Sequence, residues 1–277
     1  MVFSADPAGV KDADWQSVDW SQPWLAPLRT QGALLTWQLL QGGSVHAVLN
    51  SALPPALQVL GQCFVPQADL PAGMAYEAFI AAQRCVPTRD NFHDFFNGLV
   101  WLHYPETKRR LNALQAEVIA AQGVGAQRGP VRDAATLFDE SGAVLHAPAP
   151  LWQALLARDW QALFLTHRDL WQHARLLVFG HALMEKLLVD RMDVTAQVLL
   201  APPVGFQADR SIAPDDAAMA AVFTREHLAR KPFTPLPLSG IPGWHASNAA
   251  AAFYANTAVF RPARRPMGDT VGHSLLM

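Results

Sequence analysis

The segment Asp90–Gly123, "DNFHDFFNGLVWLHYPETKRRLNALQAEVIAAQG", limits what this chain can fold into more than any other. Phe92, Phe95, Phe96, Leu99, Val100 and Leu102 recur at helical spacing and cover most of the circumference of the helix they predict. A helix that is apolar nearly all round is an interior helix, so other elements must pack around it. Asp90 or Asn91 can cap its start, because a short polar side chain there accepts from an unpaired backbone N–H. Pro105 ends this helix or opens the next, since proline is tolerated in a first turn. "ETKRRLNALQAEVIAAQG" continues as a second helix that Gly123 stops.

The flanking sequence adds shorter elements. Trp15, Trp20 and Trp24 sit among turn residues and predict a terminal arm, residues 1–32, pinned to the body by buried ring area. Prolines in "ALPPALQVLGQCFVPQADLPAG" are too closely spaced for a long helix. "AYEAFIAAQRC" has Tyr76, Phe79 and Ile80 at amphipathic helical spacing. In "ATLFDESGAVLH" two apolar runs flank "DESG", which predicts a short β-hairpin near 134–147. "PLWQALLARDWQALFLT" is helical, and "RLLVFGHALMEKLL" is either a strand feeding a helix at Gly180 or one continuous helix. The expected fold is α+β, mainly α with a small β element, in one helix-dominated domain over 33–261. Residues 262–277 are expected to form an extended or disordered tail.

Composition narrows the function. The chain is 51% hydrophobic but only 16% charged, against roughly 25% in ordinary soluble domains, so its surface relies on uncharged polar groups or on a partner. A formal net charge of −2 argues against a nucleic-acid or anionic-membrane partner. No run of about 18 apolar residues predicts a membrane span. Cys63 and Cys85 form no CxxC and are too few for a disulfide framework. "MVFSADPAGVKDADW" carries no visible signal peptide. A reducing cytoplasm is the resulting expectation.

Two blocks hold the chemistry-bearing side chains. On the interior helix His93, Asp94, Asn97 and Trp101 share one broad face at three- and four-residue spacings, and a polar stripe on a buried helix needs partners. In "FGHALMEKLL" His181 and Glu185 are four apart and project together. Should the two helices meet, His93, Asp94, His181 and Glu185 would offer nitrogen and oxygen ligands to one divalent metal, with Asn97 and Trp101 behind them. Asp139 and Glu140 are then the spare acid or base, and Lys108 and Arg132, with Arg128 as a further candidate, would hold an anionic group. The competing reading gives these residues ordinary structural bonds: caps, a core histidine paired with a glutamate, an Arg132–Asp133 ion pair.

Known motifs fit poorly. His93-Asp94 lacks the companions of a His-Asp metal phosphohydrolase. "LFDESG" puts Ser141 where an aspartyl-phosphate phosphatase needs its second carboxylate, although Asp215-Asp216 could imitate the later acids. Nucleophile elbows, phosphate-binding glycine loops and zinc-finger spacings are absent. "VPTRDNFHDFFNGLVWLHYPETKRRLNALQ", "RGPVRDAATLFDESGAVL" and "FGHALMEKLL" together resemble the bacterial domain-of-unknown-function family 3025, over roughly Ala33 to Arg261. The resemblance implies one architecture for the blocks that hold His93, Asp94, Asn97, Trp101, Lys108, Asn112, Arg132, Asp133, Asp139, Glu140, His181 and Glu185. It brings no reaction with it. Two expectations remain open: a metal-assisted hydrolase acting on a small polar or phosphorylated substrate, or a non-catalytic protein that binds a ligand or protein partner through an apolar, Trp-lined surface.

Overall fold

The computed structural model describes residues 13–123, 129–189, 191–200 and 215–263. Arg128 and nearly all of the expected tail lie outside them. The chain enters through short 3-10 turns, then forms α1 (Arg29–Leu40), α2 (Val45–Ser51) and α3 (Pro55–Val59). Strand β1 (Cys63–Pro66), α4 (Tyr76–Gln83) and β2 (Cys85–Thr88) follow. The interior helix is α5 (Phe92–His103) and its successor α6 (Pro105–Gln122). Next come α7 (Pro130–Ser141), β3 (Gly142–His146), α8 (Ala149–Ala157), β4 (Arg175–Val178) and α9 (His181–Lys186). Strand β5 (Thr195–Leu199), α10 (Asp216–Val222), α11 (Arg225–Ala229) and β6 (Phe233–Pro237) follow, and short 3-10 turns lead to the end of the described chain. The architecture is thus mainly α with a small β component.

Local chemistry accounts for the central helices. The Asn91 side chain accepts from Asp94 N at 2.8 Å and starts α5, while Asp90 Oδ1 accepts from Val45 N and serves α2 instead. Pro105 opens α6, and two of that helix's first N–H groups, on Glu106 and Thr107, donate to the Asp216 carboxylate at 2.7 and 3.0 Å. Asp216 is therefore an N-cap from across the fold and Asp215 caps its own helix; neither imitates a metal-binding acid. Gly123 ends α6 at a φ of +72°, a conformation that costs glycine nothing. Phe95, Phe96, Leu99 and Val100 of α5 are fully buried and join one apolar cluster that runs from Val18 to Phe260. Trp15 packs on Phe92 and Phe95 with ring centroids 4.8 and 5.3 Å apart, and α1 runs across the 32/33 position where arm and body were divided.

Two sequence expectations are corrected. The 134–147 hairpin does not form: residues through Ser141 are helix α7, entered at Pro130, and β3 pairs with β4 (antiparallel) and β5 (parallel) in a four-stranded sheet ordered β4-β3-β5-β6. Ala134, Ala135 and Phe138 bury one helical face, so a period of 3.6 prevails over the turn residues "DESG". Cys63 and Cys85 are not two free thiols. They are opposite each other in the parallel β1–β2 pair and form a disulfide, which closes the segment that carries α4. The bond removes the argument for a reducing compartment that rested on cysteine usage.

Candidate functional site

Helices α5, α6, α7 and α9 meet along a seam, and α4 packs on α6 beside it. Gly180 sets how closely α9 approaches. A Cβ there would lie 2.5 Å from Glu140 O and 2.6 Å from Ser141 Cα, so only glycine allows the start of α9 to rest on the end of α7. Both Phe179 N and Gly180 N donate to Gly142 O, locking that approach. The consequence is that His181 stands over Asp139 and against α5.

The polar side chains of the seam form one chain of contacts. Glu185 Oε2 lies 3.1 Å from His93 Nδ1, and His93 Nε2 lies 3.1 Å from His181 Nε2. On the far side of His181, its Nδ1 is buried without a hydrogen-bond partner, with Asp139 Oδ2 3.9 Å away. Asp139 Oδ1 accepts from Lys108 Nζ, which also donates to Asn97 Oδ1 at 2.7 Å and sits 5.5 Å from the Trp101 ring. Asn97 Nδ2 in turn donates to Tyr76 Oη at 3.0 Å. The series runs from an exposed rim, where the Glu185 and His93 side chains keep 42% and 32% of their accessible surface, to an interior where Lys108 keeps 4%.

Burial sets the protonation states. Desolvation pushes His181 down to about 3, an effect to which the Lys108 and His93 charges add and which Asp139 opposes. His181 is therefore neutral near pH 7. Burial likewise depresses Lys108, and Asp139 counters it. Burial would raise Asp139, but the Lys108 ammonium beside it and His181 hold that carboxyl below its ordinary range. Desolvation, with Asp94 and Asp139 near, keeps the Tyr76 phenol protonated. A neutral His181 with its one proton on Nδ1, toward Asp139, leaves an Nε2 lone pair facing His93, so His93 Nε2 is the donor. In this arrangement one transferable proton lies between the two Nε2 atoms, and each outer nitrogen is turned to a carboxylate.

The sequence candidates separate accordingly. The structure brings together His93, His181, Glu185, Asp139, Lys108, Asn97 and Trp101. Asp94 leaves the set: its Oδ2 accepts from Arg89 N and Nε at 2.7 and 2.9 Å and its Oδ1 from Arg89 Nη2 at 3.0 Å. A residue in the first turn of a helix lies beside the entering chain, and Asp94 binds that chain rather than α9. Glu140 is half-buried and makes none of the seam's contacts. Arg132 is buried on α7, Nε without a partner and Nη2 3.9 Å from Glu77, not paired with Asp133. Among the described residues, no group of three or more His, Cys, Asp or Glu is placed to hold a metal ion. Sequence reasoning missed Tyr76, Arg89 and Gly180; the nearest signal was Tyr76 opening an amphipathic helix.

Fold and site together define a mainly α protein with a small mixed sheet and a buried acid–base chain between its helices. The chain belongs to the family described as Protein of unknown function (DUF3025), whose model matches residues 62–264 and so takes in every residue of the seam. No curated protein and no solved structure matches it. Among the described residues no helix is long and apolar enough to cross a membrane.

Proposed function

We propose that the chain is a hydrolase for a small polar or phosphorylated substrate, working through the paired imidazoles of His93 and His181. One observation carries this reading: two histidines share a contact of 3.1 Å while carboxylates stand behind both, at the rim of a buried charge pair. An ordinary core histidine satisfies its two ring nitrogens with unrelated groups, whereas here two imidazoles face each other and each has a carboxylate beyond its outer nitrogen. A hydrolytic water at the rim gives its proton to the Glu185 carboxylate, which His93 Nδ1 holds at 3.1 Å, as a general base oriented by a neighbouring group does. Lys108 compensates Asp139 and fixes His181 from behind. Two of its N–H groups are engaged inside the fold, so it supports the pair and does not hold an anionic group itself.

The metal-assisted version changes its ligands. Two nitrogens at about 2.0–2.1 Å from a tetrahedral ion stand about 3.3 Å apart, close to the separation of the two Nε2 atoms. A divalent metal there would take His93 and His181 directly and be backed by Glu185 and Asp139, without Asp94. Activity against a panel of phosphate and carboxylate esters tests the proposal. His93→Gln and Glu185→Gln should each lower kcat by about 10²–10⁴. Elemental analysis alongside separates the versions: about one metal per chain, lost in His93→Gln and His181→Gln, selects the metal. Hydrolysis unchanged in both variants would end the proposal.

A second reading rests on α1, where Leu34, Trp37 and Leu40 form an exposed apolar stripe, Trp37 at 58%. A non-catalytic partner-binding protein would use such a surface. Sedimentation of Trp37→Glu against the unmodified chain tests it, and an unchanged association state counts against it.

A further inference from the structure

Helix α9 has a second functional side. His181 and Glu185 face α5, whereas Leu183 and Lys186, about half a turn round, line a separate cavity of about 440 Å³. Ligand sites for small molecules fall in the range of about 300–1,000 Å³. The cavity's walls divide by chemistry. Its apolar part is built from Trp160, Leu183, Val194 and the two prolines of β6, Pro235 and Pro237. Its charged part carries Arg158, Lys186, Arg191 and Arg261 with a single carboxylate, Asp193. Among the described residues this is four cations against one anion, a strong local excess in a chain whose formal net charge is −2.

The cations are not equally engaged. Arg191 grips Asp193 through Nε and Nη2 at 3.0 and 2.9 Å. Those bonds, and the Arg261 charge with them, hold the Asp193 carboxyl below its ordinary range. Arg261 is anchored through its own carbonyl, which accepts from Trp160 Nε1 at 2.8 Å, and through Nε, which donates to Ala258 O. Arg158 and Lys186 make no ion pair with any described carboxylate. Arg158 and Lys186, without an ion pair among the described residues, thus share a half-enclosed space with an aromatic and aliphatic surface.

We propose that this cavity binds a small organic anion, a phosphate or carboxylate headgroup joined to an aromatic or acyl body. The headgroup meets Arg158 and Lys186, and the body rests on Trp160 and the β6 prolines. The site is distinct from the histidine pair on the other face of α9 and does not depend on the hydrolase reading.

Calorimetric titration of the full chain with phenyl phosphate, benzoate, phenol and inorganic phosphate tests it. Phenyl phosphate or benzoate should bind one per chain, whichever headgroup is preferred, with phenol and inorganic phosphate at least tenfold weaker. Arg158→Ala/Lys186→Ala should weaken the bound anion at least tenfold at unchanged thermal stability, and His93→Gln should leave it unchanged. The proposal falls if neither organic anion binds, if phenol binds equally well, or if His93→Gln rather than the Arg158/Lys186 double variant loses binding.

Discussion

Lowering the pH from 7 to 4.5 should destabilise this protein through one identifiable residue, His181. The residue is 5% exposed, and burial pushes its imidazole from 6.5 down to about 3. The unfolded chain takes up a proton at this imidazole near pH 6.5 that the folded chain refuses until about pH 3. Stability therefore rises with pH through this window: the contribution is complete above about pH 6.5 and is lost progressively as the pH falls toward 3. At pH 4.5 the unfolded imidazole is about a hundredfold protonated while the folded one is neutral. At 1.36 kcal/mol per pH unit this costs about 2.5 kcal/mol relative to pH 7. Urea unfolding of the wild type and of His181→Gln at both pH values isolates the effect, because glutamine keeps a polar group toward His93 and does not titrate. The variant has its own fixed cost. Its stability should nevertheless fall by about 2.5 kcal/mol less than the wild type's between the two pH values. Parallel losses would refute the reasoning, since they would mean that the ring accepts its proton as readily folded as unfolded.

Further outcomes follow from the same contacts. Asp139→Asn leaves the Lys108 ammonium buried without its counter-charge and should cost about 3–5 kcal/mol in urea unfolding, while Lys108→Met/Asp139→Asn should recover part of it. Gly180→Ala should cost about 1–3 kcal/mol, because the new methyl meets the Glu140 and Ser141 backbone rather than a side chain that can move. The shift of α9 should also move the ring ¹⁵N resonances of His181, which no solvent-facing alanine would do. Cys63→Ser/Cys85→Ser opens a link spanning 22 residues, worth about 3 kcal/mol on chain entropy, read as a lower urea midpoint of non-reduced protein. Asp94→Ala should cost about 1–3 kcal/mol by freeing Arg89 yet leave any hydrolytic rate and metal content unchanged, in contrast to His93→Gln.

The residues that sequence could place are those whose partners are local. Asn91, Pro105 and Gly123 act within a turn of their own position, so the bounds of α5 and α6 follow from cap and proline chemistry alone. The hairpin failed for the complementary reason. "DESG" is good turn chemistry, but β3 takes its partners from β4 and β5, well beyond any hairpin, and Phe138 had to be buried from a helix. The disulfide was hidden likewise, since parallel register, and not spacing along the chain, puts Cys63 beside Cys85. The site was legible in half. Spacing of four predicted that His181 and Glu185 project together, and both do reach α5. Spacing could not say which atoms meet. Both histidines turn Nε2 toward each other, so Glu185 falls behind His93, and the carboxylate behind His181 is Asp139 from a third helix. Asp94, one residue from His93, points about 100° away and finds Arg89. A four-ligand cluster and a proton-sharing pair backed by carboxylates draw on nearly the same side chains; what separates them is the Gly180 contact, which presses α9 onto the end of α7 and makes Asp139 the residue behind His181.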